Sequence, residues 1–311
     1  RVTSLEREAA NLRAVQATRP GGFDSIPRIV AFEEYAGRPI LVETALVGQP
    51  MNRQTVQRDP ETCCTTVINW LMEVQQATCS STRDDPHWFE RLVEKPLSHF
   101  ASVFPSSADE TQLLERTRKL VAPLRRVSLP LVFEHGDLSH PNLLLLKGGG
   151  AGVVDWELAE PRGLPVCDLF FFLTYAAFAL GSARSTDGYL PAFHAAFFGP
   201  SAWARRYVLA YAERLSVPSH LLTPLFAACW ARYVAGLLIR RGDDRHSRGP
   251  LTLDTAAWLR ANRYYALWRH TVARVDELDW DNCPKTFRRG FGHRFGSPTR
   301  HRAVEMAPRR P

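Results

Sequence analysis

The 311 residues are enough for one large domain or two of ordinary size. Hydrophobic residues make up 45% of the chain and charged residues 23%, a composition typical of soluble globular proteins. The longest apolar run, residues 169–180, is shorter than the roughly 20 residues that span a bilayer, so it predicts a buried helix. The charged start of the chain lacks the apolar segment of a signal peptide, and we expect a cytoplasmic protein.

The net charge of +7 is concentrated at the end of the chain. The segment from Asp281 onward contains eight lysines and arginines but only two acidic residues, a net charge of +6. The rest of the chain therefore has a net charge of only +1. Residues 281–311 have little apolar surface to bury, so we predict a basic disordered tail. Nucleic-acid binding by this tail is the alternative that its charge suggests. The six cysteines show no metal-ligand spacing, and we expect free thiols in a reducing cytosol.

The front of the chain predicts one helix and two strands. The helix runs to Gln16, and Thr3 with Glu6 fits a capping box at its start. Glu8 lies on the inward stripe of this helix and needs a partner there, because an unpaired buried charge is costly. Residues 28–32 and 39–43 then predict two strands joined by a turn.

The middle of the chain combines long helices with a small sheet. Beyond Gly48 the pattern becomes helical, with long segments near residues 61–78 and 109–126, and a short strand follows at residues 131–134. Residues 143–147 and 152–156 flank a triple glycine and predict the two strands of a hairpin. The glycines are not a phosphate-binding loop, because no Gly-Lys-Ser/Thr follows them. Helices are expected to dominate from Val166 to about Leu278.

Two short segments carry chemistry. His135-Gly136-Asp137 is followed after four residues by Asn142, and Val153-Val154-Asp155-Trp156-Glu157 comes just past the hairpin turn. Phosphoryl transfer needs one carboxylate to orient the attacking hydroxyl, together with an Asn and a second carboxylate that hold Mg²⁺ against nucleotide phosphates. A loop followed by a hairpin can bring such groups together, with Asp155 delivered by the second hairpin strand. Turn formation is the simpler alternative for each residue alone, since Asp and Asn favour turns.

These segments resemble those of the aminoglycoside phosphotransferase and choline kinase family. The resemblance implies an α+β, protein-kinase-like two-lobe fold. Residues 1–47 would be an incomplete, β-rich N-lobe that ends in the hinge, and residues 48–280 a larger, mainly helical C-lobe. It also implies an ATP-dependent, Mg²⁺-dependent phosphotransferase that acts on a hydroxyl of a small molecule. Gly136 stands where protein kinases have Arg and no Ala-Pro-Glu motif follows Asp155, which favours a small-molecule kinase over a protein kinase.

The resemblance assigns roles to individual residues. Asp137 would be the catalytic base, and His135 would brace its loop. Asn142 and Asp155 would be the Mg²⁺ ligands. Further residues would complete the scaffold and the nucleotide site: the buried Asp168, the front-helix Glu8, and the hinge strand Leu41 to Ala45, whose backbone near Glu43 to Ala45 would bind adenine.

One expected residue has no counterpart in the sequence. The family places a nucleotide-binding loop and a strand lysine before the helix that carries Glu8, but only seven residues precede Glu8 and no lysine occurs before Lys95. The chain starts at Arg1 rather than Met, and we expect an N-terminally truncated form of an ordinary kinase. The alternative is a catalytically impaired, pseudokinase-like scaffold.

The acceptor is not fixed by the sequence, and aminoglycoside-, choline- and sugar-like molecules stay open. A polycation would need acidic residues in the helical part, for which the candidates are Glu157, Glu160, Asp243, Asp244 and Asp254. The aspartate pair among them is flanked by Arg240, Arg241 and Arg245. A choline-like ligand would prefer an aromatic cage, for which the candidates are Trp230, Tyr233, Trp258, Tyr264, Tyr265 and Trp268. A place in the hydrophobic core is the alternative for these aromatic residues.

Overall fold

The computed structural model describes residues 4–103, 107–199, 202–244 and 253–280. Several expectations fall on other parts of the chain. The capping residue Thr3 and the basic tail 281–311 lie outside the described residues, as do Arg245 and the side chains of Asp243, Asp244 and Asp254.

The front of the structure consists of one helix and one hairpin. Helix α1 spans Ser4–Gln16 and buries Leu12 and Val15, as its apolar stripe predicts. Strands β1 (Ile29–Tyr35) and β2 (Arg38–Glu43) pair antiparallel. The predicted β1 ended three residues early, because pairing continues up to the turn. The two turn residues, which follow Tyr35, both have positive φ, as a tight hairpin turn that matches strand twist requires.

Two small antiparallel sheets lie further along the chain. One has the order β3-β6-β7 and the other β4-β5-β8. Their strands are β3 (Gly48–Pro50), β4 (Ser80–Ser81), β5 (Pro130–Glu134), β6 (Leu143–Leu146), β7 (Ala151–Val153) and β8 (Glu160–Gly163). The predicted hairpin is confirmed as β6 and β7, with Leu143 opposite Val153.

Helices form most of the remainder. They are α2 (Arg53–Arg58), α3 (Pro60–Ala77), α4 (Lys95–Val103), α5 (Ala108–Val121), α6 (Cys167–Leu180), α7 (Thr186–Phe197), α8 (Arg205–Arg214), α9 (Leu222–Asp244), α10 (Leu253–Arg260) and α11 (Arg263–Ala273). Shorter 3₁₀ and π turns connect several of them. The long helical segments predicted near residues 61–78 and 109–126 are therefore confirmed as α3 and α5, the second ending in a 3₁₀ turn. The predicted α+β class is confirmed.

The structure corrects two local predictions and adds one strand that was not predicted. Strand β7 ends at Val153 instead of reaching Trp156, because Asp155 has a left-handed backbone with a φ of 67° that cannot continue a strand. Gly48–Pro50, where the pattern appeared to turn helical, is a strand that pairs with β6. Strand β8 has no alternating pattern in its sequence and forms by pairing with β5.

The core is packed between the helices. The apolar run predicted as a buried helix is confirmed as α6, in which Phe170 and Phe172 are fully buried. Residues 219–241 are long and apolar enough to cross a membrane by composition, yet 67% of that window is buried within the protein, as in a core helix. The cysteines in the described residues are free thiols, as expected, and Cys283 lies outside this part of the chain.

Candidate active site

The loop that follows β5 is fixed by one buried carboxylate. Asp168, in the first turn of α6, accepts hydrogen bonds from the backbone N–H groups of His135 (2.8 Å) and Gly136 (3.0 Å). The side chain of Gln75 donates a third hydrogen bond at 3.1 Å. Burial raises the pKa of Asp168, while the backbone donors oppose that effect. The loop is thereby tied to the next helix, as the resemblance implies.

The imidazole of His135 connects the two chemistry-bearing segments. Its Nδ1 accepts a hydrogen bond from the N–H of Asp137 at 3.3 Å, so Nε2 carries the proton and donates to the carbonyl of Val154 at 3.0 Å. The ring is buried against Trp156, with ring centroids 4.9 Å apart. Burial lowers the pKa of His135 to about 4, so the ring is neutral at physiological pH. A neutral ring can make both hydrogen bonds, which is the bracing arrangement expected of this residue.

Gly136 is required by the backbone. Its φ is +83°, and a Cβ placed there would meet the carbonyl oxygen of Leu158 more closely than real Cβ atoms approach other atoms. No other residue fits this position without a shift of the main chain. The local backbone of this chain therefore excludes the arginine that protein kinases have at this position.

Asp137 and Asn142 are in direct contact. The amide nitrogen of Asn142 donates to the backbone oxygen of Asp137 at 2.9 Å and to its carboxylate at 3.3 Å. Burial and the nearby charge of Asp155 raise the pKa of Asp137 to about 6, although the hydrogen bond from Asn142 acts in the opposite direction. A half-buried carboxylate with such a pKa suits proton transfer near neutral pH.

The hairpin brings Asp155 to the same place. After Leu143 pairs with Val153, the N–H of Val154 donates to the carbonyl of Asn142 at 3.1 Å. Asp155 follows directly, so the structure brings Asp137, Asn142 and Asp155 together. Asp155 is delivered by the left-handed residue beyond the strand, not by the strand itself. Its carboxylate is solvent-accessible and makes no hydrogen bond within the described residues, which leaves it open to a ligand.

Helix α1 packs against the segment after Asp155. The half-buried carboxylate of Glu8 accepts a hydrogen bond from the N–H of Trp156 at 3.1 Å. The amide of Asn11, one turn later, donates to the carbonyl of Trp156 at 2.8 Å and to that of Ala159 at 3.3 Å. The partner that Glu8 needs is thus a backbone N–H group.

Three carboxylates meet at the front of the site. Burial raises the pKa of Glu8 and of Glu43, and in each case the charges of Asp155 and of a neighbouring glutamate add to the effect. One carboxylate oxygen of Glu43 is buried without a hydrogen bond. No cation pairs with these acids in the part of the chain that the structure describes. The family's strand lysine would neutralise this group of charges.

The hinge leaves one backbone position open. Thr44 is held to Arg28 by two hydrogen bonds of 2.9 Å, one from its N–H and one to its hydroxyl. The next residue, Ala45, is exposed, and its N–H and C=O make no hydrogen bond to any described residue. A backbone with free donor and acceptor groups beside Glu43 fits the expected recognition of adenine.

Comparison with family models decides the family. The model described as the phosphotransferase enzyme family matches residues 1–209 of this chain. The chain belongs to the phosphotransferase enzyme family. A comparison with curated proteins finds no match.

Solved structures of small-molecule kinases are similar to this phosphotransferase. A choline/ethanolamine kinase family protein from Mesorhizobium loti is 15% identical with a TM-score of 0.45, over 88% of this chain and 83% of that one. A thermostable mutant of an aminoglycoside phosphotransferase is 17% identical with a TM-score of 0.46, over 87% and 84%. An aminoglycoside phosphotransferase from Alicyclobacillus acidocaldarius is 16% identical with a TM-score of 0.43, over 88% and 83%.

The oxygen donors of the phosphotransferase fit a hard cation only in part. Asn142 and Asp155 offer amide and carboxylate oxygens, the ligands that Mg²⁺ prefers. Across the described residues, no group of three His, Cys, Asp or Glu side chains could hold a metal ion alone. The site therefore suits a cation that takes its remaining ligands from phosphate oxygens and water, which is how Mg²⁺ binds in nucleotide-dependent enzymes.

Tyr175 and Arg263 were not predicted as site residues, although the neighbouring Tyr264 was a candidate for an aromatic cage. The hydroxyls of Tyr175 and Tyr264 are hydrogen-bonded to each other, and Arg263 donates to both at 2.8 and 2.9 Å. The charge of Asp137 acts on Tyr175, whose pKa burial raises. Tyr175 lies in an apolar run and Arg263 far along the chain, so no local sequence signal indicates either one.

Proposed function

We propose that the chain is an ATP-dependent phosphotransferase that transfers the γ-phosphate of Mg²⁺–ATP to a hydroxyl of a small molecule. The observation that carries the proposal is the convergence of Asp137, Asn142 and Asp155 through one side-chain contact and one backbone hydrogen bond. Membership of the phosphotransferase family supports the same reaction type.

Each group has a role in this reaction. Asp137 accepts the proton of the acceptor hydroxyl, and Asn142 holds that carboxylate in place. The acceptor oxygen forms a bond to the γ-phosphorus while the bond from that phosphorus to the bridging oxygen of ADP breaks. The proton passes from Asp137 to solvent. Asn142 and Asp155 are the proposed Mg²⁺ ligands, and the ion supplies charge neutralisation at the phosphates. The backbone from Glu43 to Ala45 is the proposed adenine-binding segment.

The test uses the whole protein that the gene encodes, including any residues upstream of Arg1. ADP release is measured with a panel of hydroxylated small molecules. Asp137→Asn is expected to lower turnover by roughly 10² to 10⁴, the usual contribution of a positioned general base, with ATP affinity retained. Asp187→Asn, an exposed aspartate in the first turn of α7, is the matched control and should keep full activity. Unchanged turnover in Asp137→Asn would refute the assignment.

The metal assignment has a separate test. Asp155→Ala is expected to abolish Mg²⁺-dependent nucleotide binding, because the variant loses a charged metal ligand. Calorimetric titration with ATP, with and without Mg²⁺, measures the effect, and intact Mg²⁺-dependent binding in the variant would contradict the assignment.

A non-catalytic scaffold is the second candidate. The carboxylates of Glu8, Glu43 and Asp155 favour it, since burial and the charge of Asp155 raise the pKa of both glutamates and no cation pairs with the three acids among the described residues. A reading frame that continues upstream of Arg1 into a Gly-rich hairpin and a lysine would restore the enzyme. Absence of those segments, together with no rise in melting temperature on addition of ATP, would favour the scaffold.

A further inference from the structure

A cavity of about 360 Å³ lies beside the loop that carries Asp137. Gly136 and Asp168 line one side of it, and α9 contributes Tyr233 and Arg240 to another. The volume falls in the range of small-molecule sites. Asp137 lies close to this cavity, because its charge acts on Tyr233 and the charge of Arg240 acts on it. An acceptor bound in the cavity is therefore within reach of the proposed base.

Most charges that line the cavity are already paired. Arg91 forms ion pairs with Asp85 at 2.7 Å and with Glu160 at 2.9 Å. Arg232 is paired with the buried Glu134. The carboxylate of Asp168 is occupied by the hydrogen bonds described above. These ion pairs hold the cavity walls together, and because the paired charges largely neutralise each other, they attract a charged ligand only weakly.

Arg240 is the exception. No carboxylate pairs with it among the residues that the structure describes, although its guanidinium reaches over the ring of Tyr233, 5.4 Å from the centroid. Its charge acts on Asp137, lowering the pKa of that carboxyl against the larger effect of burial. Arg240 is half-buried, so its charge is less screened than that of a fully exposed arginine.

A second arginine, Arg263, lies beside Tyr175, on which the charge of Asp137 acts. Arg263 donates hydrogen bonds to tyrosine hydroxyls and lies 4.8 Å from the ring centroid of Tyr264, and it too has no carboxylate partner in the described part of the chain. Tyr233 and Tyr264, two of the candidates for an aromatic cage, thus lie beside arginines. A polycationic or quaternary ammonium acceptor would be repelled by Arg240 and Arg263, whereas an anion would be attracted to them.

We propose that the acceptor is a small hydroxylated molecule that carries an oxyanion, either a carboxylate or a phosphate ester, which Arg240 binds over Tyr233. This inference rests on the proposed function and adds the charge class of its substrate. A planar guanidinium binds carboxylate and phosphate oxygens through paired hydrogen bonds, which gives such a site its selectivity. The transfer step itself is unchanged.

The test uses four hydroxylated six-membered rings that differ in charge: quinate, myo-inositol 1-phosphate, myo-inositol and 2-deoxystreptamine. Binding is measured by calorimetry on the whole protein, and turnover by ADP release. We expect quinate or inositol phosphate to bind at least tenfold more tightly than the neutral ring, and 2-deoxystreptamine to bind most weakly. The tighter of the two anions identifies the oxyanion.

Variants of neighbouring arginines provide the matched comparison. Arg240→Gln is expected to weaken binding of the preferred anion, and to raise its KM, by about 10- to 100-fold, the effect of losing a charged hydrogen-bonded pair. ATP affinity should stay the same, and Arg240→Lys should recover part of the loss. Arg241→Gln is the control, because the Arg241 guanidinium packs on Trp258, 4.3 Å from its ring centroid, and should leave both constants unchanged.

The outcomes separate this inference from the proposed function. Tighter binding of myo-inositol or 2-deoxystreptamine than of both anions, or failure of all four rings to bind a protein that binds ATP, would overturn the charge assignment alone. An Arg240→Gln variant with unchanged affinity for the anion would also overturn it. Loss of ATP binding and turnover in the wild-type protein would overturn the proposed function, while anion binding that depends on Arg240 would still support this site.

Discussion

Replacing Asp168 by Asn tests how the active-site loop is held. One oxygen of Asp168 accepts hydrogen bonds from the His135 N–H and from Gln75, and the other accepts from the Gly136 N–H. Asparagine has only one acceptor oxygen at this position. Whichever way its amide turns, an NH₂ group faces a donor that the carboxylate had satisfied.

The magnitude follows from the count of lost acceptors. The less costly orientation of the new amide keeps the two donors near its one oxygen and leaves the buried N–H of Gly136 unsatisfied. Such a loss costs about 1–3 kcal/mol. Removing a buried charge offsets part of the cost, because burial raises the pKa of Asp168 and so disfavours its ionised form. We expect a net destabilisation of about 1–2 kcal/mol, a large share of the roughly 5–15 kcal/mol that stabilises a typical domain.

Urea unfolding at pH 7.5, followed by tryptophan fluorescence, measures the change. The control is Asp187→Asn, which also lies in the first turn of a helix but is exposed, and we expect less than about 1 kcal/mol from it. An Asp168→Asn protein as stable as wild type would show that the carboxylate does not anchor the loop, and the argument from its three hydrogen bonds would fail.

Two further predictions concern stability. Burial disfavours ionisation of Glu110, but hydrogen bonds, above all from Arg260, outweigh it and lower the pKa from 4.5 to about 2. Because Arg260 is partly exposed and its charge is screened by solvent, Glu110→Gln should cost about 1–3 kcal/mol at neutral pH. Because the folded-state pKa is depressed, this difference should shrink as pH falls from about 4.5 to about 2 in urea titrations, and a difference independent of pH would contradict it. Gly136→Ala should destabilise by at least roughly 1–3 kcal/mol, since its φ is positive and its Cβ would collide with Leu158, whereas Gly148→Ala has open space and should change little, as differential scanning calorimetry would show. Equal melting temperatures for the two glycine variants would refute that contrast.

The sequence was informative where structure depends on nearby residues. The hairpin β6–β7 was predicted from alternating apolar residues around a triple glycine, and α3 and α5 from helical periodicity. The convergence of Asp137, Asn142 and Asp155 was also predicted, because a loop and a hairpin that are adjacent in sequence are adjacent in space.

Features that depend on distant partners could not be predicted. The three-residue strand β3 forms only because β6, about 95 positions later, offers a free edge. Strand β7 ends where it does because the backbone of Asp155 is left-handed. This conformation directs the N–H of the next residue, Trp156, toward the carboxylate of Glu8 on the distant helix α1. Arg240 was noted in the sequence only as a neighbour of acidic residues, and its position over Tyr233 is set by the packing of α9.

The hydrogen bonds between α1 and the main chain beyond Asp155 couple the position of this helix to that of the active-site segment. Glu8 and Asn11 form hydrogen bonds with residues 156–159 from two positions about 4.5 Å apart along the helix axis. A rotation of α1 must therefore either move residues 156–159 with the helix or break the hydrogen bonds made by Glu8 and Asn11. A ligand that displaced the exposed face of α1 would therefore shift the main chain beyond Asp155 without contacting Asp155 itself.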